Sequence, residues 1–271
     1  MKKNLMRIVL SLVIVALVAG IGYVIYGLYK KHTLNVQNPI ATIEIEDYGT
    51  IKVELYPDQA PNTVANFIRL ANRGYYNNST FHRTVPKFVI QGGAKNGDLT
   101  TSPKLSDIMD NVENDKPYNI EGEFIANGFT KNTLKHEKGV ISMARGDYSA
   151  YSSSLTTQGY NSASSQFFIM ADNNTSLDGV YAAFGKVTEG MDIVEKISNV
   201  EVHYRDSELK EGETAPKDKD GQTINSDTPK KQPVIKNVTV ETYGVDYGVP
   251  KTVDVFDINS WFMQSGLLGQ Q

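Results

Sequence analysis

From Ala41 to Pro57 the chain alternates apolar and polar side chains, ATIEIEDYGTIKVELYP, around the turn-forming group Asp47-Tyr48-Gly49-Thr50. A β-strand turns successive side chains to opposite faces, so the pattern predicts a hairpin with one buried face. The period then changes. From Pro61 to Gly74, the residues Val64, Phe67, Ile68 and Ala71 recur at helical spacing and Gly74 supplies a stop, which predicts an amphipathic helix over one open end of a sheet. Short apolar runs follow at Gly139 to Arg145, Ser165 to Met170 and Tyr181 to Val187. Gly190 to Asn199 offers Ile193, Val194 and Ile197 as the stripe of a second helix, and Pro233 to Tyr243 alternates as a last strand. Many short strands, two helices and no parallel βαβ rhythm predict a mainly β antiparallel barrel or sandwich with capped ends.

The stretch Phe81-His82-Arg83-Thr84-Val85-Pro86-Lys87-Phe88-Val89-Ile90-Gln91-Gly92-Gly93 sets one cation and one carboxamide among large apolar groups. Proline removes a ladder donor and fixes φ, so Pro86 belongs at a break between strands. Two short strands meeting near Pro86 are predicted, with Gly92-Gly93 ending the second and with Phe81, Arg83, Val89 and Gln91 brought to one face.

Three polar stretches without a clean period, residues 98–119, 146–164 and 201–232, read as surface loops inserted into the domain. The last carries both signs of charge in nearly equal number, the mark of a solvated segment. The tail, residues 249–271, contains Val255, Phe256, Ile258, Trp261, Phe262, Leu267 and Leu268 and is too apolar to stay wet, so it is expected to pack on its own domain.

At the other end, residues 8–29 carry no charge and reach the roughly twenty apolar residues needed to span a bilayer. Lys2, Lys3 and Arg7 in the short basic segment 1–7 precede this run and Lys30 and Lys31 follow, so the positive-inside rule favours a cytoplasmic N-terminus only slightly. A secretory signal has a shorter apolar region of about 7 to 15 residues, so an uncleaved transmembrane signal-anchor is expected. Residues 30–39 then form a linker to a domain at 40–248. Val18-Ala19-Gly20 would suit a signal peptidase, which leaves secretion after cleavage as the alternative. Ile21 stands where an acylated cysteine would be, excluding a lipoprotein anchor.

The 271 residues include no cysteine and carry a net charge of -4, which removes thiolate chemistry and gives no electrostatic footprint for nucleic acid. The four histidines, His32, His82, His136 and His203, are scattered, and neither a metal nor a cofactor is expected.

FHRTVPKFVIQGG, GVISMAR, SQFFIM and LDGVYAAFGKV occur in that order, and with them the chain from about Ala41 to Gly244 resembles the cyclophilins, the cyclophilin-type peptidyl-prolyl cis-trans isomerases. The resemblance implies a closed eight-stranded antiparallel β-barrel capped by two α-helices, and proline-containing polypeptides as substrates. It implies Arg83 as the catalytic residue and Gln91 as the group that holds the substrate backbone and helps orient the arginine. Phe88, Val89, Phe168 and Leu177 match the pocket for the proline ring, and Ala144, Arg145 and Gln166 match the neighbouring groove. At the Arg145 position the backbone makes the contact, so its side chain is expected to matter little.

Three matched positions depart from the best-known eukaryotic pattern. Val89 replaces a methionine in the pocket, Tyr181 replaces a histidine beside it, and Ser176 stands where many members have a tryptophan that contacts cyclosporin. The arginine, the glutamine and both phenylalanines remain, so activity is expected to survive while drug sensitivity is left open. His82 invites a general-base role, but isomerisation moves no proton, so a structural histidine is expected.

The expected whole is a membrane-anchored monomer with its catalytic domain outside a bacterial cell membrane, assisting the folding of exported proteins. Two other readings compete. One is a proline-recognising chaperone or binding module whose inserted loops cover the groove. The other is a structural or adhesion domain that works through its loops and apolar tail.

Overall fold

A computed structural model of the chain describes residues 6, 12–25, 37–95, 99, 101–210 and 213–265. Contacts divide the chain into residues 1–37 and residues 38–271. In the first unit residues 12–25 are helical (α1). The expected membrane span at 8–29 lies partly outside the described residues, and among those described no helix is long and apolar enough to cross a membrane.

The second unit is built on eight strands: β1 Ile40–Ile45, β2 Gly49–Leu55, β3 Ser79–Val85, β4 Val89–Ala94, β6 Val140–Met143, β7 Phe167–Met170, β8 Ala183–Glu189 and β9 Val234–Glu241. They close into an antiparallel barrel in the order β1-β2-β8-β6-β7-β4-β3-β9, with β9 returning to β1. Two-residue strands β5 (Tyr118–Asn119) and β10 (Val253–Asp254) pair with each other outside it. Closure leaves the barrel with no open edge, and the period of two sends alternate residues inward. Ala41, Ile43 and Ile45 of β1 and Ile51, Val53 and Leu55 of β2 are buried in this way.

Helices α2 (Pro61–Asn72) and α4 (Met191–Ser198) bury Val64, Phe67 and Leu70, and Val194 and Ile197, in the same core. Pro61 opens α2, but its N-cap residue, Ala60, has no side chain to satisfy the first amides. Glu123 does this from 60 residues away, accepting hydrogen bonds from the backbone N–H groups of Asn62 at 3.0 Å and Thr63 at 2.7 Å and from the Thr63 hydroxyl. The carboxylate also lies at the positive end of the helix dipole.

Around Pro86 the two predicted strands are present, joined by a turn in which the Phe88 N–H donates to the Val85 carbonyl at 3.1 Å. Phe81, however, does not share a face with Arg83. The pairing steps from Phe81↔Gly92 to Arg83↔Gln91, so His82 is an extra residue in β3 and the bulge reverses the alternation. Phe81 points into the core, while Val89 belongs to a second apolar cluster outside the barrel. Nor do the glycines end β4, which runs on to Ala94. A second shift leaves Gly93 as an extra residue in β4 at φ +91, where a Cβ would sit 2.6 Å from the Ser165 carbonyl oxygen.

The inserted segments are less superficial than their composition implies. In the first, Ile108 and Tyr118 are buried in the main core, and the Tyr118 hydroxyl donates to Asn66 of α2 at 2.8 Å. The second carries a short helix, α3 (Thr156–Tyr160), and the third lies along β3. Helix α5 (Ile258–Ser265) follows β10, so α3 and α5 add to the two core helices expected. Phe256 packs on Tyr148 and Phe262 on Tyr151, so the tail lies on the second insert.

Candidate active site

Register places the chemistry in one row. Arg83 of β3 is paired with Gln91 of β4, Gln91 with Phe168 of β7, Phe168 with Ser142 of β6, and Ser142 with Ala183 of β8. Direct cross-strand partners project to the same face of a sheet, so the guanidinium, the carboxamide and the phenyl ring stand side by side on the outside of the barrel. The apolar cluster there is Val89, Val140, Phe168, Met170 and Ala183, flanked by Phe88, Ala144, Leu177 and Tyr181.

These groups enclose a cavity of ≈ 110 Å³ lined by Arg83, Phe88, Val89, Gln91, Ala144, Arg145, Phe168, Leu177 and Tyr181. All nine are among the ten site residues expected from the sequence. The tenth, Gln166, does not line the cavity and accepts a hydrogen bond from Gln91 Nε2 at 3.2 Å. No described residue of the three inserted segments lines the cavity. Larger cavities lie elsewhere, such as one of ≈ 590 Å³ between Pro61, Glu123, Tyr247 and Lys251.

The Arg83 side chain is 37% exposed, and among the described residues it makes an ion pair with Asp227, Nη2 to Oδ2 at 3.5 Å, and lies 6.0 Å from the centre of the Phe88 ring. Gln91 is hydrogen-bonded to Gln166 and not to Arg83. The resemblance has Arg145 acting through its backbone, but its guanidinium lies 4.5 Å from the ring centre of Tyr181 and 4.9 Å from that of Tyr160. It also donates to the carbonyls of Val180 and Gly146 at 3.0 Å each. The side chain thus ties the start of the second insert to one wall of the slot.

His136 stacks on Phe168 at 6.0 Å and meets Tyr181 edge-on at 6.4 Å, and Tyr181 meets Phe168 edge-on. Burial pulls the His136 pKa below its ordinary value, against the opposing pull of Asp178. Its Nδ1 lies 3.3 Å from Asp178 and its Nε2 3.1 Å from the Ser142 hydroxyl. Leu177 ends a 3-10 turn, Thr175–Leu177, capped by Asn174. His82, next to Arg83, is buried, and burial and then the Arg83 charge push its pKa down to about 4 against a backbone hydrogen bond to Thr80.

The supporting residues Asp227, Arg205, His136, Asp178 and Ser142 do not emerge from sequence pattern. Nothing local marks them, because their partners are 6 to 144 positions away in the chain.

The chain is thus an eight-stranded closed barrel with an outer apolar slot edged by a cation and a carboxamide. Residues 40–240 match the cyclophilin type peptidyl-prolyl cis-trans isomerase family. A peptidyl-prolyl cis-trans isomerase B of Bacillus subtilis is 39% identical over 158 residues, covering 58% of this chain and 90% of that protein. A peptidyl-prolyl cis-trans isomerase of Acinetobacter baylyi is 36% identical, covering 56% of this chain and 68% of its own. A cyclophilin type isomerase of Cryptosporidium parvum, crystallised in the presence of the dipeptide Ala-Pro, superposes with a TM-score of 0.52 at 25% identity, over 74% of this chain and 98% of that one. The chain belongs to the cyclophilin-type peptidyl-prolyl cis-trans isomerases, and it catalyses that isomerisation.

Proposed function

We infer that Arg83 is the residue that lowers the barrier, with the slot of Phe88, Val89, Phe168 and Leu177 holding the proline ring of a polypeptide substrate. Rotation about an X-Pro amide must break resonance and crosses a barrier of about 18 to 20 kcal/mol. In the twisted state the prolyl nitrogen becomes pyramidal and gains a lone pair able to accept a hydrogen bond. The Arg83 guanidinium is always charged and donates through a rigid fork, so it supplies that bond without a proton changing owner.

A bond made only in the twisted state accelerates the step, whereas one made equally in the planar state would not. Each 1.36 kcal/mol so gained is about tenfold in rate, and a charge-assisted bond can supply about a hundredfold. Gln91 is the group beside the slot assigned to the substrate backbone, with Gln166 fixing its amide and Ala144 in the neighbouring groove. Crystallisation of the Cryptosporidium parvum isomerase in the presence of Ala-Pro accords with proline-containing peptides as substrates.

The observation that carries this reading is the single row Arg83–Gln91–Phe168 on the outer face of the barrel. Its test is Arg83→Ala in a proline-limited refolding assay and in peptide exchange. The rate should fall by about a hundredfold while the affinity for a proline peptide changes little. Equal rates in the two proteins with peptide binding intact would leave a binding module and sink the catalytic role.

The uncharged run at 8–29, flanked by lysines, supports a transmembrane signal-anchor with the barrel outside the cell, where it would assist the folding of exported proteins. Protease added to intact cells should then remove the barrel domain. Protection of that domain until lysis would place it in the cytoplasm.

A further inference from the structure

The third inserted segment, residues 201–232, carries the fixed partner of the catalytic arginine. Asp227 stands in the left-handed region at φ +61, a conformation that aspartate and asparagine tolerate better than most residues. Its backbone is fastened on both sides, the N–H donating to the Tyr204 carbonyl and the carbonyl accepting from the Thr84 N–H, each at 3.0 Å. Its side chain is only 14% exposed. One carboxylate oxygen accepts from Arg205 Nη1 at 2.7 Å, and the other faces Arg83 Nη2 at 3.5 Å. Arg205 Nη1 also donates to the Thr84 carbonyl, which anchors the group to the residue after Arg83.

This arrangement does for Arg83 what the resemblance assigns to Gln91. The Gln91 amide is committed to Gln166, and among the described residues the Arg83 side chain has no hydrogen bond of its own. A free arginine side chain has rotamer entropy to lose when it is fixed in the transition state. A half-buried carboxylate that engages one terminal nitrogen removes part of that freedom beforehand and leaves the remaining N–H groups for the substrate. Because Asp227 is shared between two guanidinium groups, the cluster keeps a net positive charge.

We propose that Asp227 is a positioning residue for Arg83, so that the third inserted segment is an integral part of the catalytic centre. This rests on the assignment of Arg83 as the catalytic donor. Asp227→Asn keeps the shape and the left-handed tolerance and removes the charge. It should lower kcat/KM for a proline peptide by about tenfold, through kcat and with KM changed less than about twofold.

Asp227→Glu should recover part of that loss, which a merely structural role of the loop would not require. The Arg83 Nε–Hε resonance should shift or exchange faster with water in the Asn variant. That signal reports the contact even if the Asn variant is less stable, because it is read below the melting point on folded protein. In an Arg83→Ala background, Asp227→Asn should change the residual rate by less than about twofold, since it acts only through the arginine. An Arg83→Ala variant as active as the parent would overturn the catalytic assignment. A slow Arg83→Ala variant beside an unimpaired Asp227→Asn variant, or an Asp227→Asn loss that persists without Arg83, would overturn the positioning role alone.

Discussion

His82 and Arg83 are neighbours in sequence and opposites in electrostatic behaviour. Arg83 keeps its charge at every working pH, whereas burial holds His82 neutral with a pKa of about 4. The folded pKa lies below the unfolded value, so the unfolded chain takes up the proton first as pH falls. The stabilisation is therefore complete above pH 6.5 and is lost between 6.5 and about 4. At pH 4 the loss reaches about 3 kcal/mol by the linkage of one pKa unit to 1.36 kcal/mol. Urea titrations should show wild type losing about that much more than His82→Gln between pH 7 and 4. Parallel curves would mean that His82 is not held neutral by the fold. At this scale the sequence was informative for Arg83, Phe88, Val89 and Phe168, because strand alternation and the Pro86 break set them close together or in a plainly apolar run. It was silent on Asp227, whose surroundings read as a solvated mixed-charge loop.

Among the elements, helix α2 takes its capping group from a distant part of the chain. Ala60 cannot cap it, and the carboxylate that does so belongs to Glu123, beyond the first inserted segment. Glu123→Ala should leave two helix amides and the Thr63 hydroxyl without their acceptor and lower stability by about 2 to 3 kcal/mol. The measurement is the urea midpoint at unchanged m value, and a shift worth less than about 0.5 kcal/mol would show that water caps the helix equally well. The periodicity of α2 is plain in the sequence because it is local. The capping group is not, since it meets the helix only after the barrel has closed. The bulge at His82 escaped for a related reason: alternation alone puts Phe81 and Arg83 on one face, and only pairing with Gln91 and Gly92 shows the extra residue.

For the molecule as a whole, the tail joins the first two inserted segments and helix α2. β10 pairs with β5, Asn62 of α2 exchanges hydrogen bonds with the Lys251 backbone at 2.7 and 2.9 Å, and Lys116 pairs with Asp254. None of these residues lines the slot. Removing residues 249–271 should therefore lower the melting temperature by several degrees, about 1 to 3 kcal/mol, while kcat/KM stays within about twofold. A large loss of activity at unchanged stability would tie the tail to substrate binding. By itself, the sequence determined the eight barrel strands in outline and the two core helices, because periodicity is a property of adjacent residues, while the residues assigned to the slot came from the resemblance of its motifs to the cyclophilins. Only the tertiary structure decided that Asp227 and Arg205 meet Arg83, that Glu123 caps α2, and that Ile108 and Tyr118 are buried. Each of those contacts joins distant parts of the chain, and its partner is fixed by closure of the barrel and not by any local preference.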